Sequence, residues 1–225
     1  MRFSEKYRPG ALAEIAGQPA TRKLAALAAD PYACCVLLEC EHGGVGKTSA
    51  ALAFAKELGC EDEWSGLHVV PCSEFTVDVA RKMFDGDGSS PVLRLRPFQG
   101  RGWQCLVLEE FDWLPPQTQR YLKVALETKL PAKCVVVATS NGAARLDAAL
   151  LQRFRIYSFW SGRQLAEACN ERLRAIWRTE AGGLPVPSEL DCWGVMSATQ
   201  FSMRVALDQM QDHLAMRREV ALAHV

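Results

Sequence analysis

The sequence predicts an α/β fold in which a parallel five-stranded sheet flanked by helices is followed by a small C-terminal helical domain. Three observations predict it. Four short apolar runs recur through the first two thirds of the chain and a fifth follows, segments of helical spacing lie between them, and strand signals stop after Ser161-Gly162.

The runs are Cys34 to Leu38, Leu67 to Val70, Cys105 to Leu108, Cys134 to Ala138 and Ile156 to Trp160. Strands that are continuously apolar, without alternation, are buried on both faces, as parallel strands between two helical layers are. Ser49 to Leu58 and Gln117 to Leu126 have the spacing of covering helices. Thr76 to Phe98 opens as a helix and passes into Asp85-Gly86-Asp87-Gly88-Ser89-Ser90-Pro91, whose composition predicts a loop.

The expected division is residues 1–161 for the α/β domain and 162–225 for a helical lid. Arg163 to Arg178 reads as an amphipathic helix, and Gly182, Gly183, Pro185 and Pro187 then break the pattern. Ser188 can cap a short helix, and Phe201 to Val220 resumes helical periodicity with Met203, Leu207, Met210 and Leu214 on one stripe.

Hydrophobic residues at 49% and charged residues at 23% exclude a disordered or collagenous chain. Lysine plus arginine and aspartate plus glutamate both total 26, so any nucleic-acid contact has to come from a local patch. Residues 1–9 carry Arg2, Glu5, Lys6 and Arg8 with no apolar run behind them, which predicts neither signal peptide nor membrane anchor and makes the cytoplasm the expected address. The nine cysteines include no CxxC pair, and several sit on or beside strands, so buried thiols acting as small hydrophobes are expected and a structural metal is not.

The chemistry begins at Gly43-Gly44-Val45-Gly46-Lys47-Thr48, directly after one expected strand and before an expected helix. Glycines let successive backbone amides curl toward an anion, and the helix N-terminus adds its dipole. Lys47 can reach the β and γ phosphates of a nucleotide, and Thr48 can ligate Mg²⁺. This is a P-loop, and ATP with Mg²⁺ is the expected ligand. The pattern carries Glu41 where the usual motif has glycine, and Glu39 is also near the loop mouth; two carboxylates there weaken anion binding unless they point away.

A second apolar strand ends in acids, Leu106-Val107-Leu108-Glu109-Glu110-Phe111-Asp112. Beside a P-loop, Glu109 is placed to hold Mg²⁺ through its water shell and Glu110 to orient and polarise the attacking water.

On these motifs the chain resembles the AAA+ ATPases of the clamp-loader small-subunit type, the replication factor C and phage clamp-loader group. Glu5-Lys6-Tyr7-Arg8-Pro9 resembles that family's signature before the adenine pocket, and Ile15-Ala16-Gly17-Gln18 the motif that follows it. The resemblance implies that Arg8, Pro9 and Ile15 contact the nucleotide, with Ser49 completing the contacts of Gly43 to Thr48. Glu109-Glu110-Phe111-Asp112 resembles the family's Asp-Glu-x-Asp box.

Thr139-Ser140-Asn141 is similar to the sensor 1 motif, which implies that Asn141 contacts the γ phosphate or the water. Leu151-Gln152-Arg153-Phe154 stands where the family has its Ser-Arg-Cys box, implying that Arg153 is an arginine finger for a neighbouring subunit. Phe201-Ser202-Met203-Arg204 resembles sensor 2, implying that Arg204 reaches back to the phosphates. The catalytic set is then Lys47, Glu110, Asn141, Arg153 and Arg204.

Arg81, Lys82, Arg94, Arg96 and Arg101 fall between the second and third strands, where the family's helices follow the DNA backbone, and Trp103 and Trp113 lie near them. The implied partners are other AAA+ subunits, DNA, and a ring such as a sliding clamp. The chain departs from the pattern at Glu109 for aspartate and at Gln152 and Phe154. It also stops after the lid, where clamp-loader subunits continue into a collar domain; a helicase loader, or an ATP-switched assembly protein with little or no hydrolysis, is the alternative expectation.

Overall fold

The computed structural model describes residues 1–86, 88–186 and 202–223. Its helices are α1 (Phe3–Lys6), α2 (Ala20–Ala29), α3 (Lys47–Leu58), α4 (Val77–Phe84), α5 (Pro116–Thr128), α6 (Ala148–Leu151), α7 (Arg163–Glu180) and α8 (Met203–Ala223). The strands are β1 (Cys34–Glu39), β2 (Leu67–Pro71), β3 (Gln104–Glu109), β4 (Cys134–Ser140) and β5 (Arg155–Ser158).

All five strands are parallel, in the order β2-β3-β4-β1-β5. The central three, β3, β4 and β1, are buried along nearly their whole length, which is why their sequences do not alternate. Successive side chains still leave opposite faces. Cys34, Val36 and Leu38 join the layer under α2 and α3, while Cys35 and Leu37 join the layer under α4, α5 and α6. The edge strands β2 and β5 are part exposed, and β5 ends at Ser158, two residues short of the expected run. Beyond that point Phe159 donates its N–H to the Glu39 carbonyl and turns into the core.

Local chemistry sets the helix ends. Thr76 Oγ1 caps α4 by accepting from the Val79 N–H, and Asp147 caps α6 through the amides of Ala149 and Leu150 at 2.7 and 3.2 Å. Pro116 stands at the first turn of α5, where its missing N–H costs nothing. The short helix α1 and the alanine-rich α2 have no counterpart among the elements expected from the sequence. The signal for α2 was Leu24, Leu27 and Ala28 at helical spacing behind Pro19.

The C-terminal helices α7 and α8 continue the first hydrophobic layer. Leu165, Cys169, Leu173, Ile176 and Trp177 of α7 and Ala206, Leu207, Met210 and Leu214 of α8 are buried in the same cluster as α2 and α3, with Met203 partly buried against it. Each fully buried Leu-sized side chain stabilises by about 1.5–3 kcal/mol. The chain start is tied to these two helices: Phe3 N–H donates to Gln211 Oε1, Ser4 Oγ to Asp208 Oδ1, and Lys6 and Tyr7 both donate to Glu180. The short helix expected after Ser188, together with Pro187 and Phe201, lies outside the described residues.

Cys34, Cys35, Cys40, Cys60, Cys72, Cys105, Cys134 and Cys169 are buried free thiols. Among the described residues, no helix is long and apolar enough to cross a membrane.

Candidate active site

Parallel strands deliver their C-terminal ends, and the loops behind them, to one edge of the sheet. At that edge lies a cavity of about 570 Å³ walled by four parts of the chain: residues 2–16, the Gly43–Ser49 loop, the ends of β3 and β4, and helices α7 and α8. Arg8, Pro9, Ile15, Gly43, Gly44, Val45, Gly46, Lys47, Thr48, Ser49, Glu110, Asn141 and Arg204 all line it, which brings most of the sequence-predicted residues together.

The loop has the backbone an anion cradle needs. Gly44 and Gly46 have φ of 75° and 99°, a region that side-chain-bearing residues avoid, and α3 begins directly after Gly46. A Cβ at Gly43 would meet nothing within 4 Å, so that side of the loop is open to the cavity. A Cβ at Gly44 would lie 2.0 Å from Ser202 Oγ, and the Met203 N–H donates to the Gly44 carbonyl at 3.2 Å. The N-terminus of α8 therefore rests on the phosphate loop itself.

Lys47 is buried, and its ammonium donates to the carbonyls of Cys40 and His42 at 3.0 and 2.8 Å and to Asn141 Oδ1 at 2.9 Å. Burial lowers its pKa from the ordinary lysine value, and the nearby Cys40, Asp112 and Glu39 offset part of that. Asn141 is held in turn by Asp112, whose Oδ1 accepts from the Asn141 N–H at 3.1 Å and from Ser140 Oγ at 3.2 Å. Asp112 thus acts on the site through β4, a role its position in the acidic run did not reveal.

Glu110 is the one non-glycine residue of positive φ among the described residues, at 55°, and its N–H donates to Thr139 Oγ1. This left-handed turn at the end of β3 places Glu110 on the cavity wall, whereas Glu109, the last residue of β3, is not part of that wall. Glu39 and Glu41 are absent from it too; Glu41 is exposed to solvent, whereas Glu39 is near enough to act on the charge of Lys47. The residues fit a nucleotide and its metal: curled amides, a buried ammonium, the Thr48 hydroxyl and a carboxylate face one space.

Other candidates lie elsewhere. Arg153, just past α6, is ion-paired with Glu127 on α5, and its Nε is buried without a partner. Arg81 pairs with Asp78 within α4, and Lys82 is its exposed neighbour. Arg94, Arg96 and Arg101 line, with Lys133, a second groove at the opposite edge of the sheet, where β3 and β4 begin. There the Arg101 guanidinium donates to the carbonyls of Ala28 and Glu57. Trp103 is buried, while Trp113 is exposed with Arg145 over its ring. The cavity also holds residues that sequence reasoning missed: Arg2, Ser4, Glu14, Cys169, Arg172 and Asp208. Motif order pointed to none of these, because a helical period shows which face is apolar and not what the polar edge overlooks.

The profile of the AAA family, described as "ATPase family associated with various cellular activities", matches residues 42–160. The chain is 28% identical to the replication factor C small subunit of Methanosarcina acetivorans over 214 residues, covering 92% of this chain and 59% of that one. It is 28% identical to that of Methanoculleus marisnigri over 223 residues, covering 96% and 64%. The chain thus spans about six tenths of the length of these two relatives. Among solved structures, the Thermotoga maritima RuvB Holliday junction branch migration motor superposes with a TM-score of 0.68 at 19% identity, covering 94% of this chain and 67% of that one.

Proposed function

Since the chain belongs to the AAA family of ATPases and resembles the clamp-loader small subunits along most of its length, we propose that it binds and hydrolyses ATP in the lid-covered cavity and drives the loading of a ring-shaped replication protein, a sliding clamp, onto DNA. The observation that supports this best is the convergence of the phosphate loop, Glu110, Asn141 and Arg204 on one cavity from four separate segments.

In this reading residues 1–161 form the ATP-binding domain and 162–225 the lid. The amides of Gly43 to Thr48 hold the phosphates and Lys47 trades protein acceptors for phosphate oxygens. Glu110 orients the attacking water and takes up its proton. Asn141 and Arg204 contact the γ phosphate. Thr48, and Glu109 through water, would hold magnesium, which would supply neutralisation of the phosphate charge. Arg153, leaving Glu127, reaches the nucleotide of an adjoining AAA+ subunit, so that turnover depends on assembly. Arg81, Lys82, Arg94, Arg96 and Arg101 are the proposed contacts to DNA phosphates, and the cytoplasm is the proposed compartment.

Two observations favour a second reading, an ATP-switched assembly protein with little turnover: Arg153 is engaged within its own chain, and Glu109 lies off the cavity wall. ATP turnover with and without primed DNA and the purified ring separates them. Under the first reading Glu110→Gln abolishes hydrolysis but keeps ATP binding, and Arg153→Ala lowers turnover of the assembly by at least about a hundredfold. A rate indifferent to both substitutions eliminates the enzyme reading.

A further inference from the structure

The groove at the edge of the sheet opposite the nucleotide cavity lies between residues 93–104 and residues 130–133. Its backbone is pinned. The Phe98 and Gln99 N–H groups both donate to the Trp64 carbonyl, at 2.9 and 3.2 Å, and the buried Gln104 donates through Nε2 to the Leu95 carbonyl at 2.6 Å. A Cβ at Gly100 would lie 2.2 Å from the Gly59 carbonyl oxygen, so the chain passes here without room for a side chain. On this fixed turn Arg94, Leu95, Arg96 and Phe98 stand exposed.

The groove is positive on one side. Arg94, Arg96, Arg101 and Lys133 line it and no carboxylate does, and among the described residues none of the four is ion-paired. Arg101 donates to the carbonyls of Ala28 and Glu57, which fix its guanidinium without cancelling its charge. Three acids of the surrounding segments are engaged elsewhere: Glu57 accepts from the Leu12 N–H, Asp85 pairs with Lys129, and Asp62 caps the turn at Ser65.

Beside the cations is an aromatic pair. Phe98 lines the groove at 85% exposure, and Trp64, at 64%, has its ring centroid 5.8 Å from that of Phe98. Rings this exposed add little to the core. At about 1240 Å³ the groove exceeds the roughly 300–1,000 Å³ of small-molecule pockets, and its walls are exposed residues, which suits an extended chain. An acidic peptide in extended form carries carboxylates on both sides, against Glu61 and Glu63, the exposed acids flanking Trp64. A single nucleic-acid strand carries its charge along the backbone and turns flat bases the other way. A duplex keeps its bases stacked inside.

Resting on the DNA reading above, we infer that this groove is a binding site for single-stranded DNA, with phosphates along Arg94, Arg96 and Lys133 and a base stacked on Phe98 beside Trp64. The site then stands apart from the ATP cavity, at the other end of the same strands, and it selects single strands over duplex through the ring and not through charge.

The test is fluorescence anisotropy of the full chain with a labelled 20-nucleotide oligo-dT, a duplex of the same length, and poly-glutamate as competitor. Phe98→Ala is expected to weaken oligo-dT binding about tenfold, leaving its salt dependence and duplex binding unchanged, and Phe98→Trp to restore it. The Arg94→Ala/Arg96→Ala double variant should reduce the slope of log affinity against log salt by about 0.7 for each charge removed. Thermal unfolding midpoints check that the exposed substitutions leave the fold intact. Unchanged oligo-dT binding in Phe98→Ala, an equal loss for duplex, an unaltered salt slope in the double variant, or poly-glutamate competing as well as unlabelled oligo-dT overturns the inference. A wild-type protein that binds duplex and not oligo-dT also overturns it but spares the DNA reading, which fails only if neither is bound.

Discussion

Lys47 donates to Asn141 Oδ1 at 2.9 Å, which joins the lysine of the phosphate loop to the end of β4. With Cys40 and His42 as its other acceptors, the ammonium has no donor left for a ligand, so binding a phosphate requires an exchange. Asn141→Ala should leave ATP affinity within about threefold, because lost sensing and easier release of Lys47 oppose each other, yet should slow hydrolysis about tenfold to a hundredfold. Asn141→Asp should bind ATP more weakly than Asn141→Ala, since a carboxylate holds Lys47 and repels the γ phosphate. Nucleotide titration and single-turnover rates check both; an aspartate variant that binds as tightly as the alanine variant contradicts the exchange.

Gly44 is the contact point of loop and lid, with no room for a side chain against Ser202. Gly44→Ala is expected to destabilise by about 1–3 kcal/mol, part from the positive φ and part from the clash. Adding Ser202→Gly should return the steric part alone. Thermal unfolding of the two single variants and the double variant measures the coupling, and strict additivity would remove Ser202 as the cause.

How far the sequence carried is clear at particular residues. The strands were legible because burial on both faces writes β1, β3 and β4 as unbroken apolar runs, and the P-loop because its glycines need φ values other residues avoid. Glu110 and Asp112 were visible as acids, but which of them faces the cavity depends on a left-handed turn at Glu110 that composition does not announce. Arg172 was hidden in an arginine-rich helix. The five basic residues between β2 and β3 are neighbours in sequence only: two ride on α4, and three line a groove at the far edge of the sheet.

Gln18, part of a motif read only for its resemblance, has a physical task. Buried at 4% exposure, its amide donates to the carbonyls of Val45 and Trp160 and accepts from the Trp160 N–H, tying the phosphate loop to the chain just before the lid. Gln18→Leu strands these groups and should cost about 2–4 kcal/mol. It should also weaken ATP binding through Val45. Urea unfolding gives the first quantity, and a change below about 0.5 kcal/mol would show that water takes over the bonds.

Stability should also fall in alkali, and the thiols set the sign. Burial pushes Cys35, Cys60 and Cys169 up to about 12, whereas the same thiols in the unfolded chain ionise near 8.5. Between these values the folded state keeps protons that the unfolded state releases. The stabilisation is complete below the unfolded pKa and declines as pH rises, by about 1 kcal/mol per thiol per pH unit. Replacing Cys60, which packs at the end of α3, with alanine should flatten that decline by one thiol's share while lowering stability at neutral pH through lost packing. Unfolding curves at pH 7, 9 and 10 under reducing conditions test this, and an unfolding midpoint independent of pH over that range would refute it.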